Sequence, residues 1–517
     1  MKALWLAFLF VLLGGASAPE RVDLIIRGGT IYTGSDAPFV GDVAVLGDRI
    51  RAVGRRLHYR AARVIDARGM IVAPGFIDPH THAGEQLTSD DRATRLMPGF
   101  LMQGVTTAFV GNDGGGSPDV GALLGSAAAK PVGINYAAFV GLGAVRSQVI
   151  GQADRAPSSD ELGRMRRLVA DAMCGGALGL SSGLFYAPQS FATTGEVAAL
   201  AREAGVRGGV YDSHIRDESS YSVGLAAAVD EAIAIGREAR LPVNISHIKA
   251  LGVDVHGQAP AIIARVEAAR RAGQRVTADQ YPWSASGTSL AAALVPRWAQ
   301  DGGRTALLRR FDDPAVAARL RTEMADNLRR RGGAASLLIT EGAQKGRRLS
   351  EVAAAQGAEP VAAAIAMIRL QDPAVASFNQ TEEDIAAFMR RPWVMTGSDA
   401  SAGHPRAFGS HARKYSEYVV RQRVLSLREF IERSTALPAD TFGIEGRGRL
   451  RRGAFADIVV FDPRAFAARA TYEQPTLLAT GVRFVLVNGA PAVENGALTG
   501  AAAGRGLAKT PPAGTCR

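Results

Sequence analysis

The sequence predicts an α/β fold, a (β/α)8 TIM-like barrel, with a small β-sandwich domain built from both chain ends. Three observations predict it. Between residues 73 and 439, short apolar segments alternate with Ala-, Arg- and Glu-rich helical stretches, the pattern of parallel strands joined by crossover helices. On either side, alternating apolar and polar runs are broken by Gly and Asp turns, which is hairpin grammar. Several central apolar runs also end in histidine or aspartate, at the strand ends where barrel enzymes place their chemistry.

The flanking strands are Asp23-Leu24-Ile25-Ile26 and Asp42-Val43-Ala44-Val45-Leu46 at one end, and Gly453–Asp462 and Phe484–Gly489 at the other. They assign 19–72 and 440–498 to one small domain. Seven barrel strands are expected at Thr106–Val110, Asn135–Val140, Ala177–Leu180, Gly209–Asp212, Val243–Ser246, Val276–Asp279 and Val394–Thr396. The run into His80 and His82 makes the eighth. Residues 288–341 interrupt this rhythm with two arginine-rich helical segments, which read equally as a lid over the mouth or as a long outer helix. Residues 499–517 read as a flexible tail.

The chain has 517 residues, a formal charge of +11 and 21% charged residues. Its arginines are spread through helices instead of gathered in a basic arm with aromatics, which argues against nucleic-acid binding. The densest groups, Arg329-Arg330-Arg331 and Arg447, Arg449, Arg451 and Arg452, read as a solvated helix end or loop. Lys2, the apolar run Ala3–Leu13 and the small residues after it have the form of a secretory signal over 1–18, with a cut after Ala16 favoured. That run is too short to span a membrane. The expected product is exported, periplasmic or secreted, with no membrane association after cleavage. Of the two cysteines, Cys174 is expected to pack in a helix and Cys516 to lie in the mobile tail, with no structural bridge between them.

The chemistry starts at Pro79-His80-Thr81-His82. Two-residue spacing on an extended strand puts both imidazoles on one face, half of a divalent-metal site. Asp113, His214, His247 and Asp399 each follow a further candidate strand. Singly, Asp113 reads as a turn cap, His214 and His247 as core polars and Asp399 as an N-cap. Together, four histidines and two carboxylates suit one or two zinc-like ions. Asp78 and Asp212 read equally as orienting carboxylates for these histidines and as turn residues.

The ordering of these residues resembles that of the amidohydrolase superfamily. Local sequences resemble its N-acyl-D-amino-acid deacylase (D-aminoacylase) branch over nearly the whole mature chain. The motifs that carry the likeness are Pro74–His82, Gly179–Tyr186, Ser246-His247-Ile248-Lys249, Asp279-Gln280-Tyr281-Pro282, and Gly397-Ser398-Asp399 with His404-Pro405-Arg406. The resemblance implies metal-dependent hydrolysis of the amide of a small acylated amino acid. It puts one ion on Asp113, His214 and His247 and a second on His80 and His82, with Asp399 as proton shuttle. It also implies Lys249, Tyr281 and Arg406 for the substrate carboxylate and Tyr186 for the carbonyl. As alternatives, Lys249 or Arg406 pairs with Asp217 or Glu218 and Tyr281 merely packs.

Two departures stand out. Where the branch has a metal-bridging cysteine in Gly-Asn-Cys-Gly, this chain has Gly111-Asn112-Asp113-Gly114, so metal number and preference are open, and Cys174 is an alternative thiolate donor. Leu142 replaces a histidine of the family pattern and is expected to alter the pocket. A dipeptidase or cyclic-amide hydrolase on the same centre, and a metal-free binding scaffold, are the competing functions. Oligomeric state is not legible.

Overall fold

The structure, a computed structural model, describes residues 20–516. The leader expected at 1–18 lies outside the described residues. Eight parallel strands form the barrel: Phe76–Asp78, Val105–Val110, Asn135–Ala138, Gly179–Gly183, Val210–His214, Val243–Ile245, Val276–Gln280 and Val394–Thr396. Neighbours are paired around the ring, the third and fourth through the continuation Val140–Gly141. The ring closes where the Asp399 amide donates to the His80 carbonyl at 2.8 Å and the His82 amide to that of Ala400 at 2.9 Å. Almost every residue of these short strands is buried, as a sheet covered on both faces requires. The surrounding helices start on sequence-legible signals. Ser158 and Glu161, for example, form a capping box at the head of Ser159–Cys174.

After the seventh strand the chain leaves the barrel. Ala285–Ser289, Ala374–Phe378 and Leu337–Ile339 form an antiparallel sheet, and the helices between them bury Leu294, Phe311, Leu328, Leu349 and Ile368 in a core of their own. This unit runs from 285 to 378, beyond the expected 288–341. The apolar helices Leu349–Ala355 and Pro360–Leu370 look like barrel helices in sequence but supply the insertion's own core.

The two chain ends share one nine-stranded sheet, in which Ile71–Pro74 lies between Arg21–Ile31 and Ile458–Phe461. The expected sandwich is built on one continuous hydrogen-bonded strand path, with Leu24, Ile26, Val43, Ile65, Ile458 and Leu486 in a common core. Arg447 is not solvated as expected. It is buried against Asp457 and donates to Asn488 Oδ1 at 2.8 Å, while Asn488 Nδ2 donates to Asn135 Oδ1 at 2.8 Å, joining the sheet to the barrel.

The tail is held, not free. Leu507 N donates to the Tyr136 carbonyl at 2.7 Å and Lys509 N to that of Gly176 at 3.0 Å. Its glycines, which suggest flexibility in sequence, permit close approach: a Cβ at Gly504 would meet the Ile134 carbonyl oxygen at 2.0 Å. The tail ends in a disulfide between Cys516 and Cys174, 342 residues apart, which corrects the expectation of two unbridged cysteines and removes Cys174 as a metal ligand. Cross-links stabilise chiefly by restricting the unfolded chain, more so for long loops, so Cys174→Ser is expected to cost about 3 to 5 kcal/mol. The check is a thermal or urea melt of the variant beside the oxidised wild type.

His411 supplies a second stability test. It is fully buried, stacks on Phe76 at 5.6 Å, and neither ring nitrogen has a hydrogen-bond partner. Burial, helped by the Lys414 charge, pulls its pKa from 6.5 down to about 3. In that window the unfolded chain binds a proton that the native ring refuses, so stability falls as pH drops from 6.5 towards 3. The expected cost at pH 5 is about 2 kcal/mol. His411→Phe is expected to flatten the acid limb of the urea midpoint against pH, and an unchanged limb would contradict this reading.

Candidate metal centre

The six candidate ligands converge at the carboxyl ends of the strands. His80 and His82 follow the first strand, with Thr81 between them anchored by its hydroxyl to the Phe109 carbonyl at 2.6 Å. Asp113, His247 and Asp399 all have left-handed backbone, with φ of 54°, 35° and 49°. For non-glycine residues this is a strained state that clusters at functional sites. These turns bring side chains from separate strands to one point.

Asp113 is the hub. Its Oδ1 lies 3.4 Å from His80 Nε2 and 3.5 Å from His247 Nε2, and its Oδ2 lies 3.4 Å from His82 Nε2 and 3.6 Å from His214 Nδ1. His214 Nδ1 and His247 Nε2 are 2.8 Å apart. Asp399 Oδ1 is 3.1 Å from His82 Nε2 and 3.8 Å from His80 Nε2. Two ligand groups meet at Asp113: His80, His82, Asp113 and Asp399 form one and Asp113, His214 and His247 the other, while a third, His80, Asp212 and Asp279, shares His80. Donor atoms on a tetrahedral zinc, with bonds of roughly 2.0–2.1 Å, sit about 3.3 Å from one another, close to most of these separations. His80 Nε2 and Asp113 Oδ1 are buried without a hydrogen-bond partner and face this space. The donor set therefore fits one or two divalent ions, with Asp113 in the bridging place that the resemblance gives to cysteine.

The residues behind the ligands differ from expectation. Asp78 accepts from the backbone amides of Ser398 and His80, and Asp212 from the side-chain amides of Asn112 and Asn244. Asp78 is held by backbone amides, the turn reading, whereas Asp212 lies within 4.8 Å of a His80 ring nitrogen together with Asp279, so its orienting reading stands. Burial raises Asp78 to about 7 and Asp212 to about 6. Glu218 and Asp279 also stand behind the rings. Glu218 Oε1 lies 3.2 Å from His247 Nδ1 and its Oε2 3.7 Å from His214 Nε2, while Asp279 Oδ1 lies 3.7 Å from His80 Nδ1. Sequence reasoning had Glu218 only as an ion-pair partner. Its place four residues after His214 was the available signal. Carboxylates in this position fix ring orientation, so Glu218→Gln is expected to weaken ion retention about 10- to 100-fold, read by competition with a chromogenic chelator.

All four expected substrate residues line one cavity of about 300 Å³ with His82, Asp113, His214, His247 and Asp399. Lys249 Nζ is 2.5 Å from Glu218 Oε1 and 2.7 Å from His247 Nδ1, so the expected alternative pairing with Glu218 is realised. Burial opposes the charge of Glu218, but Lys249 and the histidines hold it well below the usual carboxylate range. Arg406 pairs with Asp399, Nη1 to Oδ2 at 2.6 Å, and not with Asp217 or Glu218. Against burial, Arg406 and His82 likewise keep Asp399 ionised. Tyr281 accepts from Gln380 at 3.0 Å, and Thr288 donates to Tyr186 at 3.5 Å. Ser286, Gly287, Thr288, Thr340 and Val375 close the cavity from the inserted unit, so that unit covers the mouth. Leu142 packs in the main core and is not among the residues that line the cavity.

A closed barrel whose strand ends gather four histidines and two aspartates defines a class of hydrolase scaffold, and the chain belongs to the amidohydrolase family, whose model matches residues 63–493. It is 34% identical to the D-aminoacylase of Alcaligenes xylosoxydans xylosoxydans, over 96% of this chain and 99% of that one. Among solved structures, the N-acyl-D-glutamate deacylase from Bordetella bronchiseptica, complexed with zinc and a phosphonate mimic of the tetrahedral intermediate, matches with TM-score 0.81 and 32% identity. That match covers 95% of this chain and all of the other. A D-aminoacylase described by its binuclear metal centre matches with TM-score 0.80 and 32% identity, over 94% of this chain and 100% of that one.

Proposed function

We propose that this chain hydrolyses the amide bond of N-acyl-D-amino acids, using one or two divalent ions, zinc foremost, and releasing a carboxylate and a free amino acid. The observation that carries it is the place of Asp113, within 3.6 Å of nitrogens from all four histidines. The relatives act on the same substrate class, and the D-configuration is taken from them. His214, His247 and Asp113 would hold one ion, and His80, His82, Asp113 and Asp399 the other. A bound ion supplies an acidified water and polarises the scissile carbonyl.

The chain's own residues do the rest. Asp399, ionised beside Arg406, accepts the proton of the attacking water and returns it to the leaving amine. Lys249 offers three protons, one of them already directed to Glu218, which leaves two for the substrate carboxylate beside Tyr281. Tyr186, its hydroxyl kept protonated by burial, is placed to donate to the acyl oxygen. Arg406 holds Asp399 in place and presents its remaining donors to the cavity. We further place the enzyme in an exported compartment. Among the described residues no helix is long and apolar enough to cross a membrane, and the Cys174–Cys516 bridge supports an oxidising environment.

The test uses the purified protein with N-acetyl-D- and N-acetyl-L-amino acids, dipeptides and hydantoins. Turnover of the acetylated D-amino acids is expected, lost on chelation and regained with zinc. Turnover of dipeptides or hydantoins alone would overturn the deacylase reading.

A further inference from the structure

The run Arg329-Arg330-Arg331, expected as a solvated helix end, divides among three environments. Arg329 is exposed and pairs with Asp254 at 2.8 Å. Arg331 turns inward to the metal cavity at 2% exposure, and its Nη1 is buried without a partner. Arg330 lines a second cavity, of about 410 Å³, which shares no lining residue with the first. Its walls come from two bodies. The inserted unit supplies Arg297, Trp298 and Arg330, and the barrel loops supply Ser190, Arg216 and Tyr221.

This seam holds more positive charge than its acids balance. Arg216 is matched by Glu231 at 2.8 Å, while Glu323 accepts from Trp298 Nε1 and Arg319 Nε, both at 2.7 Å. Asp326, the other acid of the wall, is exposed. Among the described residues, no carboxylate lies within 4.0 Å of the Arg297 guanidinium. Arg330 reaches Asp254 only at 4.0 Å, and its buried Nε has no hydrogen-bond partner. Arg297, Arg330 and Arg331 surround the Tyr221 ring at 5.8, 5.9 and 5.7 Å from its centre. The hydroxyls of Tyr221 and Ser190 are buried without partners as well. A guanidinium withdrawn from water without a counter-charge is costly, and buried donors call for acceptors. An oxyanion supplies both, since it carries charge and its paired oxygens match the guanidinium fork.

We propose that this seam is an oxyanion site, of phosphate or carboxylate type, separate from the metal centre, whose occupant ties the inserted unit to the barrel. That unit covers the metal cavity. The Phe185 ring meets both sites, lying under Arg297 at 3.6 Å and against His214 at 5.6 Å. A bound anion therefore steadies the cover over the mouth.

The test titrates the zinc-loaded protein with inorganic phosphate and, separately, with acetate, at an ionic strength held constant with chloride, and reads heat and amide exchange. Saturation by either anion, with exchange slowed in 219–224 and 295–300 together, is expected, and the anion that saturates names the source. Arg297→Met is expected to weaken that binding about 10- to 100-fold, the worth of hydrogen bonds to a charged group. Arg297→Lys should restore part of it and Arg329→Ala should leave it unchanged. If Arg297→Met loses its cooperative melt, Tyr221→Phe reads the same constant. Saturation by neither anion, or binding that persists in Arg297→Met and disappears in Asp113→Ala, would overturn the site. Neither result touches the deacylase reading, which is judged on turnover.

Discussion

Asp113→Ala is expected to release the ions at both positions together and to lower kcat/KM by about 10³-fold or more, since several kcal/mol of charge stabilisation go with the metal. The reasoning is geometric. Asp113 is shared by two ligand groups, and without it His80, His82, His214 and His247 have no shared anion. Elemental analysis of the purified variant checks the first half, and retention of two ions would refute the hub. Asp113→Cys is the informative companion. A thiolate is a softer donor than a carboxylate, so this variant is expected to keep zinc while retaining manganese less well than the wild type does.

Asp399→Asn is expected to reduce kcat by roughly 10²- to 10⁴-fold, the usual general acid–base contribution. The amide keeps the shape and a hydrogen-bond acceptor for Arg406 but cannot take up the proton of water. The variant also leaves the buried Arg406 charge unopposed, so some stability should be lost as well. The sign follows from the depressed pKa of Asp399. The ion pair contributes fully above the ordinary aspartate value of 3.8 and weakens only as pH falls below it. Near neutrality the variant should therefore melt earlier than the wild type, with the gap narrowing in strong acid. Full activity in a folded, metal-loaded Asp399→Asn enzyme would remove the residue from the mechanism.

The barrel and its ligands were legible because both rest on local signals. Buried parallel strands are short apolar runs, and an ending such as His80-Thr81-His82 or Gly397-Ser398-Asp399 marks a strand's carboxyl end directly. What stayed hidden depends on contacts across long separations. Glu218 orients two rings only because two neighbouring strands deliver them to one side of it. Arg331 looks like its exposed neighbour Arg329 until the helix end places it. Cys174 and Cys516 give no spacing cue for pairing, and a tail rich in Ala and Gly reads as loose even though those small residues let it lie flat on the barrel floor. The extent of the insertion was missed for the same reason: an apolar helix shows that it is buried, not which core it joins.

The strand Ile458–Phe461 lies between Ile71–Pro74 and Val482–Val487, which has a consequence for biosynthesis. During chain growth the amino-terminal strands emerge first but cannot complete their sheet until nearly five hundred residues have been polymerised. The nascent (β/α)8 unit must then mature while an apolar edge beside it stays open. Such long-range pairing slows folding and leaves the edge prone to self-association meanwhile, so recombinant yield should depend on translation rate and on holdase chaperones more than the finished molecule's packing would suggest.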